Sequence, residues 1–378
     1  MFVKKHYINL VALFLLGLIS SLFLMKYAAR VTVMPAVFSG VFFLLFVFFA
    51  STLAKINFKN NNLFSPKIIT TLFVIAVVVM ILGYNYISAE TRVGRYIAIK
   101  SWLDNFRYGF YPYDSKANPS GFPFLFFLGS PFYLLGDVGY FNIFGFALLG
   151  ILVHKFSKTQ KELFVCSLLL FVMPPVYYEY LVRSELLTNM TLFIALCYIA
   201  FKYVDSEKAD VKFYSVSVLF GLLLSTRLIV FAVFFLFLLF FFRSNIVKGF
   251  LFGAVSVAVF VLSLIPFIVW NPEYFVTKGP FSIQFLYLPV WVIVVAPFVL
   301  LYIGWMLRDV RELMFASGVM IFILVTISLL MRVMQDGFYN CIVGSYYDIS
   351  YYCMCIPFLL LSLHEYDVDY HLGKRLTD

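Results

Sequence analysis

Residues 213–243 read FYSVSVLFGLLLSTRLIVFAVFFLFLLFFFR, an apolar run interrupted at one place by Ser225, Thr226 and Arg227. Lys208 and Lys212 precede the run, and Arg243 and Lys248 close it. Basic residues gather on the cytoplasmic side of membrane helices, so both ends belong on the same side. The chain must then turn round at the polar group, with two half-length helices meeting at Arg227. An arginine in such a place is costly unless it faces a partner or a cavity.

The rest of the chain carries the same signature. Of 378 residues, 63% are hydrophobic and 12% charged, far outside the usage of soluble domains. About twelve runs are long and apolar enough to cross a bilayer, at 8–25, 35–54, 68–88, 139–156, 162–179, 185–203, 213–226, 228–242, 249–270, 285–306, 313–331 and 349–363. The expected class is an all-α polytopic membrane protein with about 12 transmembrane helices. Run 8–25 follows Lys4 and Lys5, exceeds a signal-peptide core and leads through YAARVTVMPAV into a second run, so a retained helix is expected.

With the N-terminus inside, Lys55, Lys59 and Lys67 fall in the first inner connection, and Lys155, Lys158 and Lys161 in the next. Lys202, Lys208 and Lys212, then Arg243 and Lys248, then Arg308 and Arg311, then Lys374 and Arg375 follow on the same side. The expected topology is N-in and C-in across a cytoplasmic (inner) membrane. The net charge of +9 is this bias, which removes the ground for a nucleic-acid reading. Cys166, Cys197, Cys353 and Cys355 fall in apolar runs as packing residues, and Cys341 alone is placed outside. The pair Cys353 and Cys355 has no neighbouring His or Cys to complete a metal site.

One outer segment departs from the pattern. From Glu90 to Arg107 six residues are charged: Glu90, Arg92, Arg95, Lys100, Asp104 and Arg107. Val93, Tyr96, Ile97, Leu103 and Phe106 recur at helical spacing, which predicts an amphipathic helix lying on the membrane surface. YGFYPYD ends it, and SGFPFLFFLGSPFYLLGD (120–137) is too short and too rich in proline and glycine for a full span, which predicts a re-entrant or interfacial helix. The outer loop is therefore 89–138.

The outer face also collects Asp104 and Asp114, then Glu179, Arg183 and Glu185, Arg227, Glu273 and Lys278, and finally Arg332, Asp336 and Asp348. Ionisable groups converging at the membrane edge point to a shared cavity. Arg92, Arg95, Arg183 and Arg227 suit a lipid phosphate, because a guanidinium binds two oxygens and keeps its charge. Tyr96, Asp104, Tyr113, Asp114, Glu185 and Lys278 complete the expected substrate contacts. No pattern demands a cofactor, although two or three carboxylates can hold a divalent cation. The plainer readings are that Glu90 neutralises Arg92 or Arg95, that Arg183 and Glu185 form a local pair, that Lys278 contacts head groups and that Asp114 is a turn residue.

ETRVGRYIAIKSWLDNFRYGFYPYD followed by GFPFLFFLGSPFYLLGD resembles the first outer loop of the GT-C superfamily of integral-membrane glycosyltransferases. GLLLSTRLIV is similar to that superfamily's midchain hairpin, and ISYYCMCIPFLLLSL to its late span. The resemblance implies a polyprenyl-phosphate-linked sugar donor, an inverting transfer and a catalytic acidic residue matching Glu90. It divides a single transmembrane domain into an N-terminal two-helix addition (1–67), a core with its outer loop (68–243), and C-terminal helices with a short tail (244–378). The soluble outer domain of the protein-modifying members is missing, which favours a lipid-linked or cell-envelope glycan acceptor. A polysaccharide polymerase or ligase is the enzymatic alternative, and a lipid-linked glycan flippase or transporter the non-enzymatic one.

Overall fold

The computed structural model describes residues 5–30, 32, 34–55, 65–87, 91, 94–115, 117–284 and 289–364. Among these the chain is entirely helical. Three helices open it, α1 (Lys5–Ala28), α2 (Pro35–Lys55) and α3 (Pro66–Gly83), and the loop supplies α4 (Arg95–Arg107) and α5 (Pro123–Leu134). Next come α6 (Tyr140–Phe156), α7 (Gln160–Val172), α8 (Pro174–Leu181) and α9 (Leu186–Tyr203), then α10 (Val211–Leu224), α11 (Ile229–Phe241) and α12 (Ile246–Trp270). Short α13 (Pro272–Thr277) and α14 (Pro280–Gln284) lead to α15 (Val290–Met306), α16 (Val310–Asp336) and α17 (Phe338–Ile342). A 3-10 helix, Ile349–Cys355, runs directly into α18 (Ile356–Leu361).

Among the described residues six helices are long and apolar enough to cross a membrane, or seven if the bent pair α7–α8 is one span. Of six shorter apolar helices, five stand where other crossings were expected, and α5 lies in the segment expected to be re-entrant or interfacial. The expected run 162–179 bends by 56° between α7 and α8. Pro174 and Pro175 begin α8, and proline supplies no N–H to continue the helix before it. The expected run 349–363 starts as a 3-10 helix of seven residues, longer than such helices usually persist.

Helices that start at the lysine-rich end of the bundle are capped there. Ser65 accepts from the Ile68 amide, Thr159 from Glu162, Asp210 from Phe213, Asn245 from Lys248 and Asp309 from Glu312. Each cap satisfies an amide that the helix itself leaves orphaned, worth about 1 kcal/mol.

The 213–243 segment does turn round. Phe220 stacks on Phe237 at 4.8 Å, and Phe213 meets Phe242 at 5.9 Å, so the far ends of α10 and α11 lie together. The break is tied to other segments. Phe122 donates its amide to the Thr226 carbonyl at 3.0 Å, Leu228 donates to Gln284 Oε1 at 2.7 Å, and Ser263 donates to Ser225 Oγ at 2.7 Å. Backbone groups freed by a break at membrane depth need such partners.

One expectation is revised. The buried face of α4 is Tyr96, Ile99, Trp102 and Leu103, whereas Ile97 and Phe106 are exposed. That face packs against α5 rather than against lipid: Trp102 is fully buried and stacks on Phe126 at 4.4 Å. Val93 lies outside the described residues. Helix α1 packs on α8, α16, α17, α18 and the 3-10 helix, and its buried Lys26 donates to the Tyr347 carbonyl at 3.1 Å. All five cysteines, Cys341 among them, are buried.

Candidate functional site

Four connections converge at the end of the bundle opposite the lysine-rich one: the start of α4, the α8–α9 turn, the α10–α11 break, and the segment entering the 3-10 helix. The start of α4 places Arg95. Its guanidinium donates from Nη1 to Ser350 Oγ at 2.6 Å, pairs through Nη2 with Asp348 Oδ2 at 2.8 Å, and lies 4.8 Å from the Tyr351 ring centre. The α10–α11 break places Arg227, which pairs with Glu185 and donates to Ser120 Oγ at 2.9 Å. Glu185 sits at the N-cap of α9, where the positive end of the helix dipole favours a carboxylate. It stands between both arginines, with Arg95 Nε at 4.0 Å.

The cluster is shielded from water. Side-chain exposure is 1% for Glu185, 5% for Arg227 and 11% for Arg95, against 45% for Asp348, which forms its open rim. Partial desolvation works against the charge on Asp348, but Arg95 and the Ser350 hydroxyl and amide outweigh it, so its pKa falls below the usual carboxylate value. Hydrogen-bonding capacity is left over. Arg95 Nε, Arg227 Nε, Glu185 Oε2 and both amide atoms of Asn189, one turn into α9, are buried with no hydrogen-bond partner among the described residues. Buried polar atoms are seldom left so, and a cluster of them marks a place for a polar ligand or water.

Arg227 also stands at the head of an apolar cavity of about 550 Å³ walled by α11, α15 and α16, with Phe231, Leu300, Val325 and Tyr351 among its linings. A cationic head above an apolar trough matches an amphiphile carrying an anionic group.

Other expected site residues lie elsewhere. Arg183 has no side-chain exposure. It pairs with Asp137 Oδ2 at 3.0 Å, donates to Thr91 Oγ1 at 3.1 Å and lies 4.4 Å from the Tyr84 ring centre. Its backbone is left-handed, at φ 56°. Arg183 thereby clamps the segment leading into α4, with Tyr96 at the edge of the same clamp. Tyr113 is fully buried and donates to the Gly121 carbonyl, so it packs the loop. Asp104 is bound to Lys100 at 3.1 Å and accepts from the Tyr133 hydroxyl, which raises the pKa values of both partners. Asp114 pairs with Lys278 at 2.7 Å on the exposed rim and holds that lysine's pKa up. Arg332 pairs with Asp336 within α16. Glu90 and Arg92 lie outside the described residues.

The sequence reading gave no role to Ser120, Gln284, Ser350 or Tyr351. The one available signal was Asp348-Ile349-Ser350, a capping pattern at the entry of a helix. Among the described residues no group of three or more His, Cys, Asp or Glu side chains is placed to hold a metal ion. No protein-family model, curated protein or solved structure matches the chain.

Proposed function

We propose that the chain is an integral-membrane glycosyltransferase of GT-C type. It moves a sugar from a polyprenyl-phosphate-linked donor to a lipid-linked or cell-envelope glycan on the extracytoplasmic face. In this reading the lysine-rich end is cytoplasmic, the shorter apolar helices complete about twelve crossings, and the loop end holds the active site. The observation that carries the reading is the placement of Arg227 at the head of an apolar cavity, with Arg95 joined to it through Glu185 and hydrogen-bonding capacity unmet on both arginines. A donor phosphate takes the guanidiniums, and its isoprenoid chain takes the trough.

In the reaction a carboxylate accepts the proton of the acceptor hydroxyl as its oxygen bonds to the sugar C1. The bond from C1 to the phosphate oxygen breaks, and the electron pair leaves on the polyprenyl phosphate. Arg95 and Arg227 stabilise the charge that develops there. Attack opposite the leaving group inverts C1. Glu90 is the proposed base.

The test uses purified protein in nanodiscs with radiolabelled polyprenyl-phosphate sugars and a mixture of lipid-linked glycan acceptors. Label is expected to leave the lipid with the native chain, and to be retained with Glu90→Gln and with Arg227→Ala at unchanged folding. Turnover that survives Glu90→Gln refutes the assigned base. Movement of intact lipid-linked glycan between leaflets without sugar transfer refutes the enzyme.

A further inference from the structure

A second cavity, of about 710 Å³, lies between α15 and α16. These helices follow one another in the chain, joined by a turn at 307–309, yet they scarcely touch, while α11 packs against both. The cleft between them runs from Trp291 at one end of α15 to Trp305 at the other. At 1.5 Å per residue this is roughly 20 Å, about two-thirds of the depth of a bilayer's apolar core. Its walls are aliphatic and aromatic until the lysine-rich end, where Arg243, Arg308 and Glu312 form the mouth.

The mouth is built. Arg243 donates from Nη1 to the Leu307 carbonyl at 2.8 Å, which holds its guanidinium over the turn between the two helices. The Glu312 carboxylate accepts from the Arg308 backbone amide at 2.8 Å at the start of α16 and also interacts with the Arg308 charge. The Arg243 and Arg308 guanidiniums and the Glu312 carboxylate thus share the end of an apolar cleft that has one tryptophan near each end of α15. The cleft shares Leu300 with the Arg227 cavity, but its charged mouth is made by other residues.

We propose that the α15–α16 cleft binds an anionic phospholipid from the leaflet on the lysine-rich side. The phosphate lies on Arg243 and Arg308, and an acyl chain lies along the cleft beside Leu300, Phe315 and Ile323. The lipid fills the gap that α15 and α16 leave, and so sets the spacing of two helices that also wall the Arg227 cavity.

The test is fluorescence quenching of the full-length protein in phosphatidylcholine vesicles, with brominated phosphatidylglycerol or brominated phosphatidylcholine as quencher. The Trp305 signal is taken as the difference between the native chain and Trp305→Phe. Half-maximal quenching is expected at an about fivefold lower mole fraction of the brominated anionic lipid, the order that two basic side chains opposed by one carboxylate give at a membrane surface. The preference is expected to vanish in the double variant Arg243→Gln with Arg308→Gln, and to persist in Arg243→Lys with Arg308→Lys, which keeps the charge should the first variant fold poorly. Equal quenching by the two lipids overturns the proposal, as does a preference that survives both glutamines. Stronger quenching by a brominated polyprenyl phosphate, insensitive to the arginines, also overturns it and assigns the cleft to a chain entering from the loop end.

Discussion

Replacing Glu185 by glutamine keeps the shape of its side chain and removes only the charge. In the native protein that carboxylate is 1% exposed and faces Arg227, 5% exposed, and Arg95 at 4.0 Å. At the effective dielectric suited to protein sites, one unit pair at this separation interacts by about 4 kcal/mol. Removing one partner of a buried pair typically costs about 3–5 kcal/mol, because the other charge is left uncompensated. Arg95 keeps Asp348, so the loss falls on Arg227. Glu185→Gln is therefore expected to destabilise the protein by about 3–5 kcal/mol. Adding Arg227→Met should recover half or more of this, since the stranded charge is then gone. Unfolding in detergent micelles, followed by titration with a denaturing detergent, reads all four corners of the cycle. A cost for Glu185→Gln below about 1 kcal/mol would place the pair in the range of solvated surface bridges and refute the reasoning. A double variant as unstable as the summed single variants would do the same.

Further outcomes follow from other contacts. In Gly139→Ala the new Cβ would stand 2.6 Å from Arg183 Cγ and 2.8 Å from Tyr84 Cε2, so a loss of about 1–3 kcal/mol is expected in thermal melting; an Arg183→Ala background should remove most of it, and a native-like melt would show that the clamp yields freely. Asp348 has a folded-state pKa below its ordinary 3.8, so its contribution is present above that value and lost as pH falls through the lower one. The stability difference between native and Asp348→Asn should thus hold steady from pH 7 to about pH 5 and shrink only in stronger acid; a difference that fades near pH 6 would contradict the ion pair. His364 is buried against Ser157 at 2.8 Å, and burial lowers its pKa from 6.5 to about 4. The neutral ring then favours folding above pH 6.5, and this advantage is lost as pH falls towards 4, on the order of 3 kcal/mol in all. His364→Gln should flatten the stability profile across that window, and an unchanged slope would rule the histidine out as its source.

Much of the fold was readable because membrane helices satisfy their backbone internally, leaving hydropathy and charge to mark where each begins and ends. The turn at Arg227 followed from one polar group within an apolar run, and the caps at Thr159, Asp210 and Asp309 follow from side-chain chemistry at helix starts. Features that depend on packing between distant segments were not legible. The face of α4 went to Ile99 and Trp102 because α5 covers them, and periodicity cannot say what will lie opposite. The site was half legible for the same reason. Arg95 and Arg227 stand out as charges among apolar residues, but nothing in the string says that Arg227 faces Glu185 while Arg183, two residues earlier in the same turn, faces inward to Asp137. Ser350 and Ser120 are ordinary serines until an arginine is placed beside them.

The two segments that hold Arg95 also set an order of events for biogenesis. Arg95 and its partner Ser350 are 255 residues apart in the chain. At about 5–20 residues per second, synthesis leaves Arg95 without Asp348 or Ser350 for roughly 10 to 50 s. Lys26 waits longer still, since its acceptor is 321 residues away at Tyr347. During that interval two cations stand at the membrane without their final partners, and the last helices to emerge relieve both at once. The closing of residues 347–350 onto Lys26 and Arg95 is therefore a late step, and a nascent chain halted before it lacks the partners that both cations have in the folded protein.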